Sequence, residues 1–260
     1  MYKWMLSGFS LLLIQTIAAQ TKTLPEEARS FLLPGYEMLD YIAGDLNNDK
    51  KADAILVLKQ TGEDTIDTDV NRPFVILIRQ TNGKLQQVVR NDSAILCYRC
   101  GGVFGDPYQG IEINESGFDI DFYGGSSWRW SRHYFFKYNA AKKNWYLHRD
   151  FSSSYHVTDE DLDKSATETT IDATELGSIS IAEFNSFPNY TEAKWRVMAA
   201  KTFFYNNPKI GSKPRKGYLL KGDVVSSYLQ TKNFVEVYFE NKKAQSSSGF
   251  VLKKDLIKIE

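Results

Sequence analysis

Apolar residues along this chain come in short runs and in alternation, and both patterns specify strands. Ala54-Ile55-Leu56-Val57-Leu58 is a continuous apolar run, as a strand buried on both faces requires. Residues 74–78 form a second run and residues 85–89 follow it. Asn82-Gly83 between them signals a hairpin turn, because both residues tolerate a left-handed backbone. Further strands are expected over 111–113, 118–123, 128–138 and 144–148, separated by Glu115-Ser116-Gly117, Gly124-Gly125 and residues 139–143. This spacing predicts an antiparallel meander. A short helix is expected over 26–33, with Pro25 in its first turn.

The C-terminal quarter alternates again. Val235, Val237 and Phe239 fall on one strand face, with Glu236, Tyr238 and Glu240 on the other. Glycines and prolines at 208, 211, 214, 217, 222 and 249 punctuate about five short strands, a pattern that suits a small barrel. The fold expected is mainly β: a meander-like N-terminal domain and a small C-terminal barrel.

Charge divides the chain further. The 260 residues carry 32 Lys+Arg against 32 Asp+Glu, which excludes a wholly basic nucleic-acid binder. Hydrophobic residues at 42% and aromatic residues at 14% exclude a disordered chain. Neutrality arises by cancellation: residues 20–157 are near neutral, 158–192 carry nine acidic side chains against Lys164, and 197–260 carry 12 basic against five acidic. The domain reading is therefore a β-rich unit over 20–157, an acidic, solvated connection over 158–196 and a basic barrel over 197–260. Within the connection, residues 179–181 suit a short strand.

Residues 1–19 read as a secretory signal peptide. Lys3 gives a positive start, residues 5–14 are mainly apolar, and small residues lead to Ala19. The apolar stretch is shorter than the roughly 20 residues a bilayer demands, and Gln15 interrupts it. An exported protein, periplasmic or extracellular, with no transmembrane segment in its mature chain is expected. The two cysteines, Cys97 and Cys100, suit a small disulfide in such a compartment. Free thiols, and redox or metal chemistry, are the alternatives.

The sharpest local pattern is Gly44-Asp45-Leu46-Asn47-Asn48-Asp49-Lys50-Lys51-Ala52-Asp53. Short oxygen side chains fall at loop positions 1, 3, 5 and 9, a spacing that can wrap a hard cation such as calcium. Asp45, Asn47, Asp49 and Asp53 would bind through side chains, and Lys51 through its backbone carbonyl. Leu56 stands where a helix-loop-helix calcium site needs Glu, which excludes that motif. The pattern resembles the calcium loop of FG-GAP and VCBS repeats of extracellular β-propellers. That resemblance implies a propeller-blade-like unit; with one such motif, a closed propeller is not expected. Lys50 departs from the family's glycine at position 6. The other reading is a polar turn closed by Asx hydrogen bonds without metal. Asp64, Asp67 and Asp69 are expected in a solvated hairpin loop.

Gly101-Gly102 and Gly124-Gly125-Ser126-Ser127 fit neither a phosphate-binding loop nor a nucleophile elbow, and turns are expected there. Trp128, Trp130, Tyr134, Phe136 and Tyr138 share one strand parity, which suits a sheet core; glycan or peptide binding is the alternative. Residues 97–138 also resemble a group of exported bacterial proteins with such segments after a GDLNxD loop, which implies no activity at particular residues.

Residues 200–205, 217–225, 234–237 and 249–251 resemble bacterial Src-homology-3-type domains, with Phe250 where the family has Trp. The resemblance implies an aromatic-lined groove for wall peptides or protein segments, with Tyr205, Tyr218 and Tyr228 as its candidates. The basic block favours acidic partners. His133, His148 and His156 lie in no recognised catalytic motif, and Asp119 and Asp121 share a strand face without an opposing partner in sequence. The function expected is a non-catalytic exported bacterial envelope protein, possessing a calcium-stabilised first domain and binding a wall component or envelope protein, not nucleic acid. An envelope hydrolase and an inhibitor or immunity-type protein using residues 101–108 are the alternatives.

Overall fold

Two apolar runs lie at the centre of the first sheet. The structure is a computed structural model describing residues 23–159, 166–186, 192–241 and 243–259, with Tyr228 described by its backbone alone. Residues 1–19, expected to be a signal peptide, lie outside the described residues. Strands β1 (Tyr36–Gly44), β2 (Asp53–Gln60), β3 (Arg72–Arg79) and β4 (Leu85–Ile95) pair in that order, all antiparallel. Side chains of β2 alternate between two cores: Ile55 and Val57 enter one, Ala54, Leu56 and Leu58 the other. Phe74 and Ile76 of β3 oppose Val75 and Leu77 in the same way. Burial on both faces is the reason these runs lack alternation. The back face is covered by a 3-10 helix, Glu26–Phe31, with Ala28, Leu24, Leu32 and Leu33 packed on it.

The second sheet is also a meander, β5 (Tyr108–Asn114), β6 (Gly117–Gly125), β7 (Trp128–Asn139), β8 (Asn144–His156) and β9 (Thr167–Asp172). It lays Phe118, Ile120, Phe122, Tyr134, Phe136, Trp145 and Leu147 against the first sheet. The resulting sandwich is stacked with rings, Phe118 and Phe136 lying 5.2 Å apart between centroids. Of the predicted aromatic stripe, Tyr134 and Phe136 are buried, Trp130 and Tyr138 are partly buried, and Trp128 is exposed.

The described part of 158–196 departs from the expected solvated connection. Residues 167–172 form edge strand β9, and Ala173–Leu176 make one helical turn capped by Asp172. Ile181 and Phe184 are buried in the sandwich core. The Asn91 amide donates to the carbonyls of Ile181 and Phe184 at 2.6 and 2.7 Å. Residues 179–181 form no strand; Ser180 makes a single bridge to Tyr146. Glu168 and Glu183 face solvent, Glu175 is buried, and Ile171, Ile181 and Phe184 carry the packing.

The C-terminal strands are β10 (Ala193–Val197), β11 (Lys201–Phe203), β12 (Tyr218–Leu220), β13 (Val224–Gln230), β14 (Phe234–Glu240), β15 (Ser246–Leu252) and β16 (Leu256–Lys258). Five of them form one antiparallel sheet in the order β15-β14-β13-β10-β16, and β11 and β12 pair separately. The expected closed barrel is therefore not formed among the described residues. β11 and β12 are three residues long and satisfy each other, leaving one Tyr205–Phe250 bridge across to β15. β10 also places the start of this sheet before residue 197. No helix among the described residues is long and apolar enough to cross a membrane.

Candidate functional site

The Asp-rich loop joins β1 to β2, and its three carboxylates converge. Asp45, Asp49 and Asp53 each offer an oxygen within 4.8 Å of the others. Asp45 Oδ1 accepts from the backbone N–H of Asn47 and Asp49, and Oδ2 from that of Lys50 at 2.8 Å. Asn47 Oδ1 accepts from the Asp49 N–H at 2.9 Å. Lys50 has a φ of 65°, so the turn at loop position 6 is left-handed, where a glycine would be unstrained. Asp53 is fully buried and accepts from the N–H groups of Leu46 and Arg79. Burial pushes the Asp53 carboxyl up, those hydrogen bonds oppose the rise, and the Asp49 and Asp45 charges add to it. Leu46 is buried, and its carbonyl accepts from Trp145 Nε1 at 2.8 Å, tying the loop to the second sheet.

The donor set suits a hard cation in chemistry and convergence. Carboxylate oxygens that already accept one N–H retain lone pairs. Two features compete with a metal. The Lys51 ammonium lies 3.1 Å from Asp49 Oδ2, and the Lys51 carbonyl accepts from the Asp53 N–H at 3.1 Å.

Tyr205 and Tyr218 do not line one cavity. Tyr205 packs edge-on to Phe234, with centroids 5.5 Å apart. It lines a cavity of about 500 Å³ with Ile210, Phe234 and Leu252 on its apolar side. Lys209, Lys232, Lys253 and Lys254 ring that cavity. Lys232, Lys253 and Lys254 make no ion pair with any described residue, and Lys209 acts electrostatically on Asp172. Tyr218 lies on the separate β11–β12 hairpin, its ring 3.7 Å from the Lys201 ammonium. Tyr228 lies in β13.

A second feature was not singled out by the sequence. The second sheet and the C-terminal sheet meet along a seam held by Glu175, which accepts from Thr231 Oγ1, the Asn233 N–H and Asn233 Nδ2 at 2.8–2.9 Å. Ile171, Phe234 and Phe250 pack across it. Cavities of about 540, 390 and 640 Å³ succeed one another along this seam. Arg132 and Tyr134 line the first two, and Thr167, Thr169 and Glu236 line the last two. Arg132 holds Asp150 through Nε and Nη2 at 3.0 and 2.7 Å. Burial pushes the Glu236 carboxyl up, against the pull of Arg132 and of a hydrogen bond with Tyr238.

Cys97 and Cys100 form a disulfide. The two glycine loops after them seat on each other: Gly125 N–H donates to the Gly101 carbonyl, and Val103 N–H to the Gly125 carbonyl. A Cβ on Gly124 would lie 2.8 Å from the Gly101 Cα, so this backbone approach demands glycine. Asp106 anchors the same loop to the fully buried Arg72. Val103, Phe104 and Trp128 remain exposed. Of the expected solvated acids, Asp67 pairs with Arg99, and Asp69 Oδ1 lies 3.2 Å from the disulfide-bonded Cys97 Sγ. His133 Nδ1 lies 2.6 Å from Asp121 Oδ1, while Asp119 accepts from Asn114.

Compared with protein-family models, with curated proteins and with solved structures, the chain matches none.

Proposed function

We propose that this chain is a non-catalytic exported bacterial envelope protein that binds a wall component or an envelope protein through acidic groups on that partner. The lysine-ringed cavity beside Tyr205 carries the reading. Four lysines line it together with Ile210, Phe234 and Leu252, a composition that suits a carboxylate- or phosphate-bearing segment with an apolar portion. The Src-homology-3-type sequence pattern over 197–260 and the Cys97–Cys100 disulfide support the same reading. The full chain is expected to be retained on purified peptidoglycan or by a protein in envelope extract, more weakly as salt rises. Lys232→Glu with Lys253→Glu is expected to abolish retention. Retention in neither material, or retention indifferent to both charge reversals, removes the proposal.

The propeller-blade-like β1–β4 unit is proposed to take calcium at Asp45, Asn47, Asp49, Asp53 and the Lys51 carbonyl. Binding would require the Lys51 ammonium to swing off Asp49. At calcium a hundredfold above Kd, the stabilisation expected is about 2.7 kcal/mol. A thermal midpoint identical in chelator and in excess calcium removes the site.

The inhibitor-type reading has its own observation in its favour. Val103 is 75% exposed and Phe104 47% exposed on a loop braced by the disulfide and by Arg72. An extract protein lost from the Phe104→Asp variant but kept by the lysine reversals would favour it.

A further inference from the structure

We infer that the seam cavity between the second sheet and the C-terminal sheet binds a neutral linear oligosaccharide, at a site distinct from the lysine-ringed cavity. The argument starts from strand register. Trp130, Ser154 and Thr167 stand side by side across β7, β8 and β9, and Arg132, Ser152 and Thr169 form the next row. Side chains two residues apart share a face, so these rows face one cavity. The hydroxyls of Ser152, Ser154, Thr167 and Thr169 make no hydrogen bond with any described residue. Each hydroxyl can both donate and accept, which is the pairing that sugar hydroxyls need.

Trp130 supplies the apolar complement. Its ring is partly buried and lies over Gly124, whose absent side chain makes room for it. The flat face of an aromatic ring suits the C–H face of a pyranose. Glu236 closes the cavity from β14 as a carboxyl able to accept from sugar hydroxyls. Among the described residues Arg132 is the one cation lining the middle cavity, and it is paired with Asp150, so a polyanion meets the Asp150 and Glu236 carboxylates there. The succession of cavities sharing Arg132, Thr167, Thr169 and Glu236 suits a ligand of several units in line.

The test is calorimetric titration of the full chain with cellotetraose, maltotetraose and an N-acetylglucosamine tetramer, with an alanine-rich peptide as control. At least one saccharide is expected to bind. Ser152→Ala with Thr169→Val is expected to weaken it about tenfold, and Trp130→Ala more. Trp130→Phe should restore part of that loss, which separates ring stacking from fold damage, and Lys253→Glu, which lines only the lysine-ringed cavity, should leave binding unchanged. Binding of none of the three at about 10 mM overturns the inference. So does affinity unmoved by the double hydroxyl variant, or binding of the peptide alone. Loss on Lys253→Glu would instead assign the saccharide to the lysine-ringed cavity.

Discussion

Arg72 has its whole side chain out of water, which is tolerable only because acids surround it. Glu63 engages its Nε and Nη2, Asp106 its two terminal nitrogens, and the Leu96 carbonyl accepts from Nη1. Burial works against its charge, and the Asp106 and Glu63 carboxylates more than offset that, holding the guanidinium firmly protonated. Arg72→Ala leaves Glu63 buried without a counter-charge and is expected to destabilise the fold by about 3–5 kcal/mol in urea unfolding. A loss under about 1 kcal/mol would mean that Glu63 takes a proton or finds water instead. Glu236 makes the opposite kind of prediction. Its carboxyl is raised from the ordinary 4.5, first by burial and further by Asp150. Its contribution to stability is therefore full below that value and declines as pH rises through the folded one. Glu236→Gln should gain in thermal midpoint relative to the parent as pH goes from 4.5 toward neutrality. A difference constant with pH contradicts this.

At the scale of elements, the strands that announce themselves are those with a simple environment. β2 and β3 are buried on both faces and read as unbroken apolar runs. β1 was not legible, because a register shift between Met38 and Asp40 breaks its period of two. β9 was hidden in the acidic run, since an edge strand with only Ile171 buried needs few apolar residues. The Asp loop was legible as short polar arms at fixed spacing. The seam site was not: Glu236 lies on the polar face of an alternating strand, and only docking of that face against β7–β9 makes it part of a cavity. Tyr205 and Tyr218 separate because the chain leaving β11 turns Tyr205 onto Phe250 of β15, while Tyr218 pairs with Phe203 in the β11–β12 hairpin. The Cys97–Cys100 link closes a very short loop, so Cys97→Ser with Cys100→Ser is expected to cost only about 2 kcal/mol. Hydrogen exchange should quicken locally over 101–106, and a global loss of protection would contradict a local brace.

For the whole molecule, the decisive group is Glu175, a buried carboxylate on one side of the seam satisfied entirely by β13–β14 and their turn. The two parts have separate cores and share this seam, so their cooperativity depends on it. Glu175→Ala is expected to weaken the coupling by about 3 kcal/mol and to split one calorimetric transition into two. A single transition merely shifted downward would show that apolar packing around Ile171, Phe234 and Phe250 suffices.

The amide of Asn91 has a consequence in time as well as space. Its two acceptors lie 90 and 93 residues further along the chain, and the Leu46 carbonyl waits 99 residues for Trp145. Pairings of such long range form slowly, because loop closure precedes their reward. A chain emerging N-terminus first can lay down its early strands, yet its first core stays unsealed until Ile181 and Phe184 arrive. The segment 181–184 is then the clasp that commits the chain.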